Sequence, residues 1–369
     1  MYMATKRTNY KRITVKIGSN VLSRPDGTLD ATRMSAIVDQ VAALRAMGVE
    51  VILVSSGAVA AGRSLMRKQG VTALDAVSER MLFSAVGQVR LINRYHDFFS
   101  DRGLVCGQVL TMKESFATRA HYLNQRHCMN VMLLHGVVPI VNENDTISVT
   151  ELMFTDNDEL SGLIATMMES QALVILSNVD GVYDGNPELP TSAVITDIDG
   201  SHPLSAESFI QKKKSSFGRG GMSTKYHIAQ KVAAEGCDVI IANGKREGIL
   251  LNVVSGDRAV PFTMFHATAH PTSGVKKWIA HSEGFAKGAV HVNEGAFQAL
   301  TSATATSVLP VGVTAVEGDF EKDDIVRIVG PDGKAFAYGR VSYSAERARA
   351  VMGQKGKRAL VHYDYLYIE

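Results

Sequence analysis

The chain has 369 residues, a formal net charge of +2 and a hydrophobic fraction of 46%. That length is long for one domain and suits two, and the near-zero charge gives no general attraction to nucleic acid or membrane surfaces. No apolar stretch approaches the length of a membrane span, and the basic N-terminal segment lacks the apolar region of a secretion signal, so we expect a cytoplasmic protein.

Strands and helices alternate over the first two thirds of the chain. Short apolar runs rich in β-branched residues predict strands, and the pattern over residues 31–47 predicts a helix with Asp30 as its N-cap. Such alternation indicates an α/β fold with a mostly parallel sheet sandwiched by helices. The predicted strands are residues 13–17, 51–55, 105–110, 137–141, 173–177 and 238–242.

The first strand carries a lysine among apolar residues, in the segment VKIGSN at residues 15–20. A buried lysine is costly unless it meets an anion, so Lys16 beside the turn at Gly18 indicates a phosphate contact. The alternative is an edge strand whose lysine lies in water.

The second strand ends in Ser55, Ser56 and Gly57, and small residues then open a helix. Small side chains let the N–H groups of a helix N-terminus approach an anion, which the helix dipole also favours. The segment has neither the GxGxxG nor the Walker pattern, so it predicts neither a Rossmann cofactor site nor a P-loop.

A dense group of carboxylates and amides follows the strand at residues 137–141. It comprises VNEND at residues 141–145 and DNDE at residues 156–159. Ligands bind open α/β sheets beyond the carboxyl ends of the strands, so this group predicts a substrate site. The alternative is an ordinary turn rich in Asn and Asp. Residues 146–153 alternate in polarity and are expected to form a hairpin over the site.

A third glycine-bearing segment, FGRGGMSTK at residues 217–225, precedes a helical pattern. Its glycines allow a cluster of backbone N–H groups, and Ser223 and Thr224 are expected to cap the helix. Lys225 places a cation in the first helical turn, where it opposes the helix dipole, so we expect it to have an anionic partner.

The character of the sequence changes after residue 265. Residues 266–275 are predicted to be a linker, and residues 276–369 contain short strands broken by glycines, which is typical of a small mainly-β domain. We therefore predict a first domain over residues 10–265 and a second over residues 276–369. The three cysteines show no metal-binding spacing and are expected to be reduced thiols, and no metal ligands are predicted.

The motifs VKIGSN, VSSGAVAAG, VNENDTIS, DNDELS, NVDGVY and GGMSTK occur in this order and resemble those of the glutamate 5-kinases in the amino acid kinase family. The C-terminal segments KKWIAHS and SVLPVGVTAVEGDF are similar to the PUA domain that many bacterial members carry. The resemblance implies an amino acid kinase fold with a PUA-like domain, and ATP-dependent phosphorylation of the γ-carboxylate of L-glutamate, the first step of proline biosynthesis.

The same resemblance implies several partners. They are L-glutamate and ATP as substrates, Mg²⁺ as cofactor and proline as a feedback inhibitor. A homo-oligomer, either a dimer or a tetramer, and functional coupling to glutamate-5-semialdehyde dehydrogenase are also implied.

Catalytic roles follow from the resemblance together with charge. A carboxylate acceptor is already ionised at neutral pH, so transfer depends on positioning and charge stabilisation rather than on a general base. Lys16 and Lys225 are the candidates to hold the transferred phosphoryl group from two sides. The resemblance implies that Asp158 orients both lysines.

Substrate and nucleotide roles are carried over in the same way. Asp145 suits the α-ammonium of glutamate, whereas Asn157, Ser56 and the N–H groups near Gly57 suit its α-carboxylate. Asn178 stands where many members have Asp, and Arg219 stands where many have Thr, which bears on nucleotide preference. The nucleotide-binding candidates are Lys16, Ser177, Asn178, Arg219, Gly220, Gly221, Met222, Ser223, Thr224 and Lys225.

Two other functions stay open at this point. One is another amino acid kinase, such as an acetylglutamate or aspartate kinase, against which the free-amine pocket at Asp145 and the PUA-like region argue. The other is RNA binding or regulation through the PUA-like domain, which the cations between residues 340 and 358 favour. Acidic residues between 317 and 324 offset those cations, and the sequence shows no evident set of base-stacking aromatic residues.

Overall fold

The computed structural model describes residues 8–71, 74–117, 119–147, 157–187, 189–199, 221–268, 279, 286–302 and 306–368. The chain forms two compact units. One comprises Met1–Met112 with Arg126–Pro271, and the other comprises Lys113–Gln125 with Thr272–Glu369. The domain boundaries drawn from the sequence stay predictions. Most of the predicted hairpin, residues 148–153, lies outside the described residues.

The strands of the first unit match the apolar runs of the sequence. Each of the six predicted strands is present, with its ends within two residues of the predicted ones. In chain order the strands are β1 (Arg12–Ile17), β2 (Glu50–Ser55), β3 (Cys106–Thr111), β4 (Val138–Glu143), β5 (Ala172–Ser177), β6 (Asp197–Asp199), β7 (Asp238–Asn243) and β8 (Phe262–His266).

These strands form one sheet in the order β3-β4-β2-β1-β5-β7-β8-β6. All neighbouring pairs are parallel except β7 and β8. Strands β4 and β5 are buried along their whole length. A sheet buried on both faces requires helices on both sides, and β1 lies near its middle rather than at an edge. The α/β prediction is therefore confirmed.

Helices connect the strands. Asp30 caps the predicted helix as expected, because its carboxylate accepts a hydrogen bond of 3.0 Å from the backbone N–H of Arg33. Within the described residues, no helix is long and apolar enough to cross a membrane. The helices begin with α1 (Ser19–Leu22), α2 (Ala31–Ala46), α3 (Ala58–Lys68), α4 (Ala76–Ser100) and α5 (Glu114–Ala117), and continue with α6 (Arg119–Leu134), α7 (Asn157–Met167), α8 (Met222–Ala234) and α9 (Ile249–Val254).

Helices α3 and α4 pack backbone to backbone at two glycines. A Cβ atom at Gly87 would lie 1.8 Å from the carbonyl oxygen of Ala58, and one at Gly62 would lie 1.8 Å from that of Phe83. Only a residue without a side chain fits either position. This close approach fixes α4 against α3, and α3 begins directly after the Ser56–Gly57 turn.

We predict that Gly87→Ala lowers the free energy of unfolding by about 2 kcal/mol, because the methyl group meets main chain that cannot rotate away. Thermal unfolding followed by circular dichroism measures the change. Gly295→Ala is the matched control, since its new methyl group has Asn293 Oδ1 as its nearest neighbour, at 3.7 Å. A Gly87→Ala protein as stable as the control would contradict the packing argument.

The second unit is mainly β, as predicted. Its strands form a separate sheet in the order β10-β9-β11-β12-β13, with its own apolar core around Val290, Ile328 and Val361. The elements are β9 (Gly288–Val292), α10 (Glu294–Thr301), β10 (Val313–Gly318), β11 (Ile325–Val329), β12 (Ala335–Val341), α11 (Ala345–Val351) and β13 (Val361–Ile368).

Candidate active site

The candidate residues lie at the carboxyl ends of adjacent parallel strands. Strand order places the end of β4 beside β2, then β1, then β5. Adjacent strands are about 4.8 Å apart, so these four ends span about 14 Å along one edge of the sheet. Side chains from distant parts of the sequence are thereby gathered in one row, with Lys16 of β1 between the two ends of the row.

Lys16, Asp158 and Lys225 meet at the centre of this row. The Nζ atom of Lys16 lies 2.5 Å from Oδ1 of Asp158, and Nζ of Lys225 lies 2.9 Å from Oδ2. All three residues are buried, and Asp158 is wholly inaccessible. One carboxylate thus holds two ammonium groups, one on each of its oxygens.

The charges of this trio do not cancel. Burial by itself would raise the pKa of Asp158, but Lys16 and Lys225 stabilise the carboxylate and hold its pKa below the ordinary value. Asp158 therefore stays ionised at neutral pH, and the trio with both lysines protonated carries one surplus positive charge. A buried surplus of this sign favours an anion such as a phosphoryl group.

Local structure explains how each member is held. Lys16 is the penultimate residue of β1, and Asp158 lies in the first turn of α7, where the helix dipole favours a carboxylate. Lys225 lies in the first turn of α8, which begins at Met222 after Gly221. The prediction that Ser223 and Thr224 cap this helix is wrong, because Gly221 is the N-cap and has no side chain to donate or accept.

The Ser56–Gly57 turn joins β2 to α3. Gly57 has φ = 100°, a left-handed conformation that disfavours any side chain, and it is the N-cap of α3. Among the described residues no side chain caps this helix, so the first N–H groups of α3 can donate to a ligand. Ser55 is buried and its Oγ lies 2.9 Å from the hydroxyl of Tyr95 on α4.

Asn157 is held by an amide network. Its Nδ2 donates to the carbonyl oxygen of Ser55 at 2.8 Å, to Ser56 Oγ at 3.1 Å and to Asn142 Oδ1 at 3.0 Å. A backbone carbonyl only accepts, so the amide orientation of Asn157 is fixed. The other polar atom of this side chain is Oδ1, an acceptor. The α-carboxylate role drawn from the sequence stays a prediction.

A second amide sets the position of Asn142. The backbone N–H of Glu143 donates to Asn142 Oδ1 at 2.9 Å, which fixes that amide in turn. Asn142 Nδ2 then donates to Oε1 of Gln88, a buried residue of α4, at 2.8 Å. The sequence did not point to Gln88.

Asp145 is buried and bound by an arginine that sequence reasoning also missed. Nε of Arg80, on α4, donates to Oδ1 of Asp145 at 2.7 Å, and its Nη2 donates to that same oxygen. The Nη2 group also donates to Glu143 Oε2 at 2.9 Å. The one available signal was the spacing of Arg80, Ser84 and Gln88, which places three polar residues on one stripe of α4.

Apart from Lys16 of β1, the described nucleotide candidates lie at the end of β5 and at the start of α8. Ser177 ends β5 and is buried, whereas the following Asn178 is exposed. Met222, Ser223, Thr224 and Lys225 form the first turn of α8, after Gly221. Arg219 and Gly220 lie outside the described residues.

An ion pair that the sequence did not indicate follows β5 and β7. Asp180 accepts from Nε and Nη2 of Arg246 at 2.7 and 2.8 Å, and from Asn243 at 3.1 Å. The hydrogen bonds from Arg246 hold the pKa of Asp180 below its ordinary value. Asp180 therefore stays ionised and fixes the loop after β5.

Two family profiles and several sequence relatives match this chain. The profile of the Amino acid kinase family matches residues 11–243, and that of the PUA domain matches residues 288–362. A glutamate 5-kinase of Bacteroides thetaiotaomicron is 60% identical over 98% of this chain and 100% of its own length. The chain belongs to the glutamate 5-kinase family. A glutamate 5-kinase of Chlorobaculum tepidum is 49% identical over 99% of both chains.

A solved structure supports the fold of the first unit. An isopentenyl phosphate kinase in a substrate complex aligns with a TM-score of 0.50 at 16% identity, over 69% of this chain and all of that one. At that identity the likeness concerns the fold alone. Membership in the glutamate 5-kinase family therefore rests on the sequence relatives and not on this structural alignment.

The kinase family implies ATP as co-substrate, and kinases commonly use Mg²⁺ with it. Among the described residues, no cluster of His, Cys, Asp or Glu is arranged to hold a metal ion. Asp158, the carboxylate at the centre of the site, is already bound to Lys16 and Lys225. These described residues do not form a protein-held magnesium site, and the charges they offer a phosphoryl group are those of the two lysines.

Proposed function

We propose that this chain transfers the γ-phosphoryl group of ATP to the γ-carboxylate of L-glutamate, forming L-glutamyl 5-phosphate as the first step of proline biosynthesis. The observation that supports it most is the buried trio of Lys16, Asp158 and Lys225. On one side of the trio are the carboxylates and amides that follow β4 and β2. On the other side are the end of β5 and the start of α8.

The chemistry requires charge compensation rather than a base. The γ-carboxylate is ionised at neutral pH and is repelled by the phosphates of ATP, and the two lysines offset that repulsion. Negative charge spreads over the transferring phosphoryl oxygens, which lysines on two sides stabilise. Asp158 keeps the ammonium groups apart and in place, and it receives no proton because its pKa is lowered.

The substrate end of the row suits a free amino acid. Asp145 and Oδ1 of Asn157 supply acceptors for an α-ammonium, and the N–H groups at the start of α3 supply donors for an α-carboxylate. This arrangement favours glutamate over N-acetylglutamate, because an acetylated amine carries no charge for Asp145 to bind.

Several further properties belong to the proposal. We infer that Mg²⁺ enters with the phosphates of ATP, that the protein works in the cytoplasm as a homo-oligomer, and that its product passes to glutamate-5-semialdehyde dehydrogenase. An acyl phosphate hydrolyses readily in water, which favours such coupling. The family relationship supports these inferences.

Trapping the acyl phosphate with hydroxylamine tests the proposed function. Purified protein with MgATP should form hydroxamate from L-glutamate at a kcat/KM at least about a hundredfold above that from N-acetylglutamate or L-aspartate, because only glutamate satisfies both the length and the charge of the site. Preference for N-acetylglutamate or aspartate would contradict the assignment.

Proline is predicted to inhibit competitively with glutamate. It shares the α-ammonium and α-carboxylate that the substrate end of the row binds, but it has no γ-carboxylate to phosphorylate. Raising glutamate at fixed proline should restore the full rate. Inhibition that persists at saturating glutamate, or equal rates with and without millimolar proline at limiting glutamate, would contradict this prediction.

A further inference from the structure

Helix α4 contacts the substrate end of the row at three separate points. Arg80 binds Asp145 and Glu143, Gln88 binds Asn142, and Tyr95 binds Ser55. Arg80, Ser84 and Gln88 are spaced by one helical turn each, and the second and third are buried. A buried polar stripe on a helix is costly unless its groups have partners, and Arg80 and Gln88 each bond a residue at the end of β4.

The contact of Arg80 with Asp145 is asymmetric. Both donating nitrogens, Nε and Nη2, converge on the single oxygen Oδ1. A guanidinium facing a carboxylate commonly pairs with both oxygens. Here Nη2 also donates to Glu143, and the hydrogen bonds of Arg80 to Asp145 both use Oδ1 rather than Oδ2.

We propose that Arg80 is the positioning residue for the substrate amine. Its hydrogen bonds to Oδ1 of Asp145 orient Oδ2 towards the α-ammonium. Glu143 accepts from the guanidinium and holds it in that orientation. This inference rests on the proposed function, because it assigns to Arg80 a role in binding the amine of glutamate. Arg80 acts through Asp145 and does not itself contact the ammonium, which carries the same charge.

The position of α4 makes such a role feasible. The helix is locked against α3 at Gly62 and Gly87, where main chain touches main chain. It is tied to β2 through the hydrogen bond between Tyr95 and Ser55. Arg80 is therefore presented from a rigid element, and a carboxylate held by a rigid donor loses little freedom when a ligand binds.

A double-mutant cycle on the full-length protein tests the proposal. Arg80→Gln should raise both the glutamate KM and the calorimetric Kd at least about tenfold, with kcat little changed, because an oriented charged acceptor is lost from ground and transition states alike. Arg80→Lys keeps the positive charge but not the two-nitrogen contact of the guanidinium. Its glutamate KM should lie between those of wild type and Arg80→Gln. Arg94→Gln, an exposed arginine of the same helix, is the matched control and should match wild type.

Coupling to Asp145 separates positioning from a merely structural role. If Arg80 acts through Asp145, Arg80→Gln should add less than about threefold to the KM of an Asp145→Asn protein. Three results would overturn the proposal. The first is that the two substitutions multiply each other's effects on KM in full. The others are a glutamate KM unchanged by Arg80→Gln and a loss that appears only in kcat. The wild-type protein is measured first. If it fails to bind or phosphorylate glutamate, the proposed function is wrong. If wild type is active and the Arg80→Gln protein has the same glutamate KM, only the role of Arg80 is wrong.

Discussion

Replacing Lys225 or Lys16 with methionine should lower kcat by about 10²- to 10³-fold while changing the glutamate KM little. Each lysine faces charge that develops as the phosphoryl group transfers, so its contribution is greatest in the transition state. Methionine preserves most of the aliphatic volume, and Asp158 keeps its second lysine in each single variant. Steady-state kinetics with a coupled ADP assay measures both parameters.

Lys11→Met is the matched control for Lys16, because Lys11 directly precedes β1 and is exposed. Its kinetics should match those of wild type, and thermal unfolding should show that all three variants are folded. A folded Lys16→Met or Lys225→Met protein with kcat within about threefold of wild type would remove that lysine from the transfer step.

Asp145→Asn should raise the glutamate KM about 10- to 100-fold with a smaller change in kcat, since a charged hydrogen bond to the ammonium is lost in ground and transition states alike. The substitution is nearly isosteric, and its amide oxygen still accepts from Arg80. The effect therefore reports the charge of residue 145 rather than its packing.

Glutarate separates this role from general damage, because it has both carboxylates of glutamate and no amine. Wild type and Asp145→Asn should use glutarate equally poorly. A glutamate KM unchanged by the substitution, or an equal loss for both substrates, would show that Asp145 does not bind the amine.

Two members of the buried trio, Lys16 and Lys225, could be singled out from the sequence alone. Lys16 stood out as a cation inside an apolar strand, and Lys225 as a cation at a helix N-terminus, so each violated a local rule. The alternative that Lys16 lies in water on an edge strand is excluded by the position of β1 near the middle of the sheet. Local violations of this kind are visible without tertiary information.

Arg80 and Gln88 gave no such signal. A polar residue inside a helix is ordinary on a solvated face, and the partners of these two lie 54 to 65 residues further along the chain. Only the packing of α4 against α3 and the strand ends shows that these polar residues of α4 face the interior of the protein. The same holds for the amide orientation of Asn157, which follows from a backbone carbonyl that strand β2 places beside it.

The sheet edge was also harder to predict than its centre. Strand β8 (Phe262–His266) overlaps the segment predicted to begin a linker, and it is antiparallel to β7. An alternation of strands and helices predicts parallel neighbours, whereas the antiparallel pairing of β8 with β7 follows from tertiary contacts that no local pattern encodes. Strand β6 is three residues long and pairs with β8, so it leaves no periodicity to detect.

We propose that the γ-carboxylate of glutamate attacks phosphorus between Lys16 and Lys225. Glutamate labelled with oxygen-18 in both γ-carboxylate oxygens tests it directly when the acyl phosphate is trapped with hydroxylamine. Hydroxylamine attacks the acyl carbon and releases phosphate, which retains the bridging oxygen. We predict that phosphorus NMR shows one oxygen-18 atom in each phosphate formed. Unlabelled phosphate accompanying ATP consumption would instead show that water accepts the phosphoryl group, which would contradict transfer to the γ-carboxylate.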